Sequence, residues 1–234
     1  MSLKQRHPGP EMMDNPQVDS AELRLNLNEL ATINNLLGGH NTTFSALDKL
    51  RLSHDQTYHV LDIGCGGGDT ILAVHKWANS KGYQFRFTGL DLSEVAISVA
   101  TFKCENLENV KFECRSFQSL QHRHEDYDIV MCSLFCHHFY DEELEELITI
   151  MHQKSKHGFV INDLERNYFA WLGIKILTIL FSRSRLVKND APLSVRRAFL
   201  KTEWKHIFKK LRIENAVVEW KWAFRHAISV KKNA

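Results

Sequence analysis

Proline is scarce in this chain of 234 residues: there are four, and three of them stand within the first 16 positions. Beyond that opening stretch little interrupts regular structure, since proline is the strongest breaker of helices and central strands. No Cys-x-x-Cys pair occurs; the five cysteines, Cys65, Cys104, Cys114, Cys132 and Cys136, are odd in number and scattered. That argues against a disulfide framework and suits reduced thiols in a cytoplasmic protein. Long apolar runs are missing too. The most apolar stretch, Phe169–Phe181, has 13 residues and contains Lys175, whereas a membrane span needs roughly 20. No transmembrane segment is therefore expected. Neither charge sign dominates: 30 Lys and Arg face 28 Asp and Glu, a net charge of +2. So small an excess gives no basis for nucleic acid as a partner. Internal repeats, low-complexity tracts and a His/Cys/carboxylate cluster with clean metal-ligand spacing are also lacking, so no metal is expected, and His122 and His124 read as surface residues.

What is present is an ordinary globular composition, 44% hydrophobic and 25% charged, in a chain long enough to bury a sizeable core. Residues 1–20, polar and proline-bearing at their start, are expected to form a disordered arm. Residues 21–56 read as a helical cap. Leu23, Leu27, Leu30, Ile33 and Leu37 recur at helical spacing, Ser20 is an N-cap candidate, and Gly38-Gly39 stops the helix. A second helix is expected over Asn41–Leu52. From residue 57 onward, apolar runs at Tyr58–Ile63, Phe85–Leu92, Val110–Cys114, Ile129–Leu134 and Phe159–Ile161 alternate with helical segments at Thr70–Ser80, Glu94–Asn106 and Asp141–Met151. That alternation predicts an α/β domain over 57–234, with a mostly parallel sheet and helices on both faces. Two β-rich runs, Arg212–Trp220 and Trp222–Val230, end the chain with almost nothing between them. They must be antiparallel, because a parallel crossover needs about a dozen residues. Between the fifth strand and this hairpin, residues 164–211 form an insertion. It contains an apolar helix over about 167–181, a basic loop over Arg183–Arg197 and a helix over Thr202–Leu211. It opens at the carboxyl ends of the strands, where open α/β sheets bind ligands, and is expected to act as a lid together with the first two helices.

The chemistry concentrates where strands end. Val60-Leu61-Asp62-Ile63 runs straight into Gly64-Cys65-Gly66-Gly67-Gly68-Asp69, four glycines in five positions. Glycines there permit a tight turn and a close approach of ligand to backbone. Their spacing is not the Gly-x-Gly-x-x-Gly of dinucleotide binders. Asp62, which would repel a pyrophosphate, suits a cationic ligand bearing an amino group. The second strand closes with Gly89-Leu90-Asp91-Leu92-Ser93; a carboxylate there can accept from both hydroxyls of a ribose, while Ser93 is the better helix cap.

These two segments resemble the first two motifs of the class I S-adenosylmethionine-dependent methyltransferases, and the likeness extends over residues 58 to about 230. The resemblance implies a Rossmann-like seven-stranded sheet of order 3-2-1-4-5-7-6, with S-adenosylmethionine lying across the strand ends and S-adenosylhomocysteine as product. Asp62, Gly64, Cys65 and Gly66 would then border its methionine half, and Asp91 with Leu92 its ribose. Many relatives carry an acid after the third strand for the adenine amino group. Here Ser116 stands in that place and Phe117 follows, and these two are the candidate adenine contacts. The segment Asp128–Phe139 resembles the fourth-strand motif of the ubiquinone and menaquinone type, which places Cys132 and Ser133 against the methionine moiety. The insertion and the stretch Ala31–His40 resemble methyltransferases of polyketide or quinone-like products, which implies secondary metabolism.

His137 and His138 follow the fourth strand. Histidine is the side chain best suited to take a phenol or enol proton near neutral pH, and His138 is the favoured catalytic candidate. The bland alternative is that either only caps a helix or lines a pocket. No Asn-Pro-Pro-Tyr-type segment is present, which favours an oxygen or carbon acceptor over an amino group. Asp163 and Arg166, after the fifth strand, read as acceptor contacts or as a charged helix start. An apolar wall beside a few basic groups suits a small aromatic or lipid-like acceptor, methylated most simply on oxygen by direct displacement. Methylation of RNA or protein, and cofactor binding without catalysis, are the rival readings. The sequence assigns no oligomeric state.

Overall fold

The computed structural model describes residues 3–15 and 17–232. Its centre is one seven-stranded sheet of order β3-β2-β1-β4-β5-β7-β6, the order the resemblance implies. The strands are β1 (Thr57–Ile63), β2 (Gln84–Asp91), β3 (Val110–Cys114), β4 (Tyr127–Ser133), β5 (Ser155–Leu164), β6 (Ala216–Lys221) and β7 (Arg225–Lys231). The first five are parallel. Strand β7 runs antiparallel to β5, with Leu164 opposite Arg225, and β6 runs antiparallel to β7. The terminal hairpin therefore turns at the carboxyl edge of the parallel strands, and its turn, residues 222–224, borders the same edge as the glycine loop.

Side-chain alternation explains the layers. Along β1, Leu61 and Ile63 point to one face and Tyr58 and Val60 to the other. The first face packs on helix α5 (Asp141–Lys154) through Leu144, Leu147, Ile148 and Met151, and on helix α8 (Lys201–Lys210) through Trp204 and Phe208. The second packs on α2 (Gly39–Asp48) through Ala46 and Leu47, and on α3 (Asp69–Lys81) through Ile71, Val74 and Ala78. Helix α4 (Glu94–Lys103) joins β2 to β3 and carries Ala96 and Val99 against Leu23 and Leu27 of α1 (Ser20–Leu36).

Several boundaries move from their expected places. Helix α1 is capped by Asp19, whose carboxylate accepts from the Ala21 and Glu22 amides, rather than by Ser20. The expected basic loop is mostly helix: α7 spans Arg185–Arg197, follows α6 (Tyr168–Phe181), and is capped by Ser184. Residues 3–15 do not behave as a disordered arm. Met12–Asp14 form a 3-10 turn. The carboxylate of Asp190, inside α7, accepts from the Met12 and Met13 amides. Glu11 is 4% exposed. Composition alone suggested disorder, but hydrogen bonds to α7 supply the order that the segment's own sequence does not.

Candidate active site

The glycine loop between β1 and α3 forms one end of a cavity of about 1380 Å³ at the carboxyl edge of the sheet. Gly64 has φ +70°, and a Cβ there would stand 2.3 Å from the Phe135 ring, so no other residue fits without displacing that ring. Gly68, φ +77°, lies against Ala100 of α4 and lets α3 start close to the sheet. Asp91, at the end of β2, accepts from the Gly66 amide (2.9 Å) and the Ser93 amide (2.9 Å), which pins the loop to the neighbouring strand. Ser93 caps α4, as the sequence suggests.

Asp62, Gly64, Cys65, Gly66, Asp91 and Leu92 all border the cavity. Asp62 is 1% exposed, and its Oδ1 has no hydrogen-bond partner among the described residues. Burial first, then the nearby Asp69 and Asp91 carboxylates, hold its pKa well above the usual carboxylate range. Burial likewise raises Asp91, against the pull of its amide donors. Carboxylates gathered in this way favour a positively charged ligand, because such a ligand relieves both desolvation and mutual repulsion. The ammonium and sulfonium groups of S-adenosylmethionine fit this end.

Past β4 a 3-10 turn, Cys136–His138, carries the two histidines. The buried His137 ring places Nδ1 2.7 Å from Asp163 Oδ1, and its backbone amide donates to Asp163 Oδ2. Its Nε2 lies 3.5 Å from Glu11 Oε1. Burial would push this imidazole down, yet Asp163 and Glu11 outweigh it and raise the pKa to about 10. The same pairing holds Asp163 below its ordinary value despite burial. At neutral pH His137 is therefore a cation between two carboxylates. Its partner His138 has Nδ1 3.2 Å from Asp14 Oδ2 and Nε2 3.8 Å from Glu11 Oε2. Glu11, Asp14, His137 and His138 all face the cavity.

The turn is bolted from behind. Arg197 donates to the His137 and His138 carbonyls, and Arg6 to those of His137 and Phe139. Ser194 Oγ donates to Glu11 Oε1. Helix α7 thus clamps both the N-terminal segment and the histidine turn. Within it Arg197 turns inward, while Arg185 forms a surface pair with Glu22.

Four expected contacts fall elsewhere. Cys132 sits in the core beside Cys136 (Sγ–Sγ 3.4 Å) and Met151, and does not border the cavity, whereas its neighbour Ser133 does. The Cys132 thiol turns into the core that packs on α5, and Ser133 turns the other way. Ser116 caps the 3-10 turn Phe117–His122 by accepting from the Gln118 amide; Phe117 lines the cavity and Ser116 does not. Asp163 is a buried strand residue that caps no helix and does not border the cavity. Arg166 forms a bidentate pair with Glu203 and donates to the Ala198 carbonyl. Glu11 and Asp14 were not anticipated. The only local sign of order is the Glu11-x-x-Asp14 spacing, which closes a capping box here; nothing in the sequence points that box at residues 137 and 138.

The His137 cation links stability to pH. A raised histidine pKa stabilises the fold fully below its unfolded value near 6.5, and that contribution is lost as pH climbs toward about 10. Unfolding free energy from urea titrations should therefore fall between pH 7 and 10, and fall less in His137→Gln. An equal decline in both proteins would show that the ion triad does not govern alkaline stability.

Residues 60–158 match the family of methyltransferase domains. The ubiquinone biosynthesis O-methyltransferase of Coxiella burnetii is 29% identical over 117 residues, covering 49% of this chain and 47% of that protein. An uncharacterized methyltransferase of Bacillus subtilis, YcgJ, is 28% identical over 103 residues, 42% of this chain and 38% of its own. The chain thus spans less than half the length of these relatives. In fold it resembles the plantazolicin methyltransferase BpumL in complex with S-adenosylhomocysteine, with a TM-score of 0.63, 15% identity, and coverage of 92% of this chain and 96% of that one. It also resembles the CurJ carbon methyltransferase, with a TM-score of 0.64, 14% identity, and coverage of 93% and 62%. The matched domain at residues 60–158, the sheet order and the glycine loop together support a class I S-adenosylmethionine-dependent methyltransferase.

Proposed function

We propose that this protein transfers a methyl group from S-adenosylmethionine to a small aromatic or lipid-like acceptor, on oxygen, by direct displacement. The observation that carries the reading is one cavity with two unlike kinds of wall. Asp62, Asp91 and the glycine loop supply the polar one; Phe169, Ala170, Gly173, Ile174 and Leu177 of α6 supply the apolar one, with His138 bordering the same space. Its volume, about 1380 Å³, exceeds the roughly 300–1,000 Å³ of a single-ligand pocket, so cofactor and acceptor have room side by side.

When bound, the cofactor supplies an electrophilic methyl on a good leaving group. The protein's share is alignment, exclusion of water and handling of one proton. Asp62 and Asp91 hold the cationic and ribose parts, the loop amides and Ser133 fix the methionine half, and Phe117 packs beside the adenine. Helix α6 covers the acceptor with apolar side chains. His138, with Nδ1–H donating to Asp14, keeps the lone pair on Nε2 and takes the acceptor's hydroxyl proton there. Glu11 then lies beside the imidazolium. His137, already protonated, holds Glu11 and Asp163 in place.

The test is incubation of purified protein with labelled S-adenosylmethionine and a panel of phenols, quinols, fatty acids and RNA. Label in an ether product of a phenol or quinol supports the reading. Label in RNA alone, or cofactor binding without any transfer, overturns it in favour of the two rivals. Asp91→Ala should weaken S-adenosylhomocysteine binding by about 1–3 kcal/mol, the worth of charge-assisted hydrogen bonds at a buried acid. Calorimetry checks this, and unchanged affinity would remove Asp91 from the ribose site.

A further inference from the structure

Arg225 opens β7 at the carboxyl edge of the sheet, opposite Leu164 of β5. It is 2% exposed, and its Nε and Nη1 have no hydrogen-bond partner among the described residues. Burial pulls its pKa down to about 10 even with Asp163 nearby. Asp163 supplies field but no hydrogen bond, since its oxygens are taken by the His137 amide, His137 Nδ1 and the Leu164 amide. Gly39 makes the room: a Cβ there would lie 3.0 Å from Arg225 Cζ. Arg225 borders the cavity, which Leu164, Phe169, Trp222 and Phe224 also line. A desolvated guanidinium with open donors is costly unless an anion completes it, and its planar fork matches a carboxylate.

We propose that Arg225 is a carboxylate receptor for the acceptor, so that the protein methylates a phenolic or otherwise hydroxylated acid whose acidic group lies remote from the reacting oxygen. This rests on the acceptor reading above. The other source of a carboxylate is the amino-acid end of the cofactor, which a cofactor fragment lacking that end separates below. From the histidine turn after β4 to β7 the sheet order gives two strand steps, roughly 10 Å, which is the reach of an extended hydroxyaryl acid.

Binding of three acid and methyl-ester pairs, 4-hydroxybenzoate, 4-hydroxycinnamate and decanoate, is measured by calorimetry on protein saturated with S-adenosylhomocysteine. The expected result is at least a tenfold preference for one or more acids over their esters. That preference should vanish in Arg225→Met and return in part in Arg225→Lys, with the affinity for S-adenosylhomocysteine changed less than twofold. If no acid binds more tightly than its ester on the unaltered protein, the proposal is overturned whether or not either variant folds. It is equally overturned if Arg225→Met weakens S-adenosylhomocysteine but not 5′-methylthioadenosine, which lacks the amino acid. Because the readout is binding, it stands apart from the transfer assay: a labelled neutral phenol with no acid preference would sink this inference alone.

Discussion

Replacing His138 by alanine should lower turnover by about 10²–10⁴ and leave cofactor affinity nearly unchanged, the loss characteristic of a removed general base. His138 is preferred over His137 on physical grounds. His137 carries a proton at neutral pH because Asp163 and Glu11 hold it there, and a base must have its lone pair free. His138 is tied through Nδ1 to Asp14 only, and Nε2 stands 3.8 Å from Glu11. The defect should shrink for an acceptor of lower pKa, which loses its proton with less help. A merely packing role for the ring would give a defect independent of acceptor acidity. Near wild-type rates for His138→Ala at every pH tested would mean that alignment alone drives transfer.

The parts of the site that sequence made legible are those whose chemistry is local in the chain. Asp62, Gly64, Gly66 and Asp91 sit where a strand ends and a turn begins, and both the strand and the turn are written in adjacent residues. The antiparallel hairpin was legible because its two runs touch in sequence. Cys132 was assigned together with Ser133 because a motif names both, although the Cys132 thiol is packed in the core on α5. Glu11 and Asp14 were not legible at all. Their partners lie more than a hundred residues away, and the segment that carries them is ordered by Asp190 and Ser194, not by its own periodicity. The basic insertion misled in the same way. Arg197 and Arg166 look like surface charges in a list of residues, yet each is buried and spent on carbonyls or on Glu203. What distinguishes a buried structural arginine from Arg225 is whether its donors are filled, and that is a tertiary fact.

Asp163→Asn should be the most damaging single substitution for stability. The carboxylate is fully buried and accepts from the His137 amide, His137 Nδ1 and the Leu164 amide. It is also the nearest counter-charge to Arg225. An asparagine keeps the volume but removes the charge, and its NH₂ group turns one acceptor into a donor facing donors. Breaking a buried pair from one side typically costs about 3–5 kcal/mol, because the remaining charge is left uncompensated. Two relaxations oppose this. His137 can give up its proton, and Glu11 remains beside its Nε2. The first relaxation makes the cost depend on pH. The native pair stabilises most above the ordinary aspartate value of 3.8 and below the ordinary histidine value of 6.5, and the His137 contribution is lost as pH climbs toward about 10. The gap between wild type and Asp163→Asn in urea unfolding should therefore be widest from about pH 5 to 6, where a free histidine is still largely charged, and should narrow as pH approaches 10. A gap constant with pH would show that the substitution costs packing and hydrogen bonds alone, and that His137 is neutral in the folded protein. In that event His137 would regain its standing as a base beside His138.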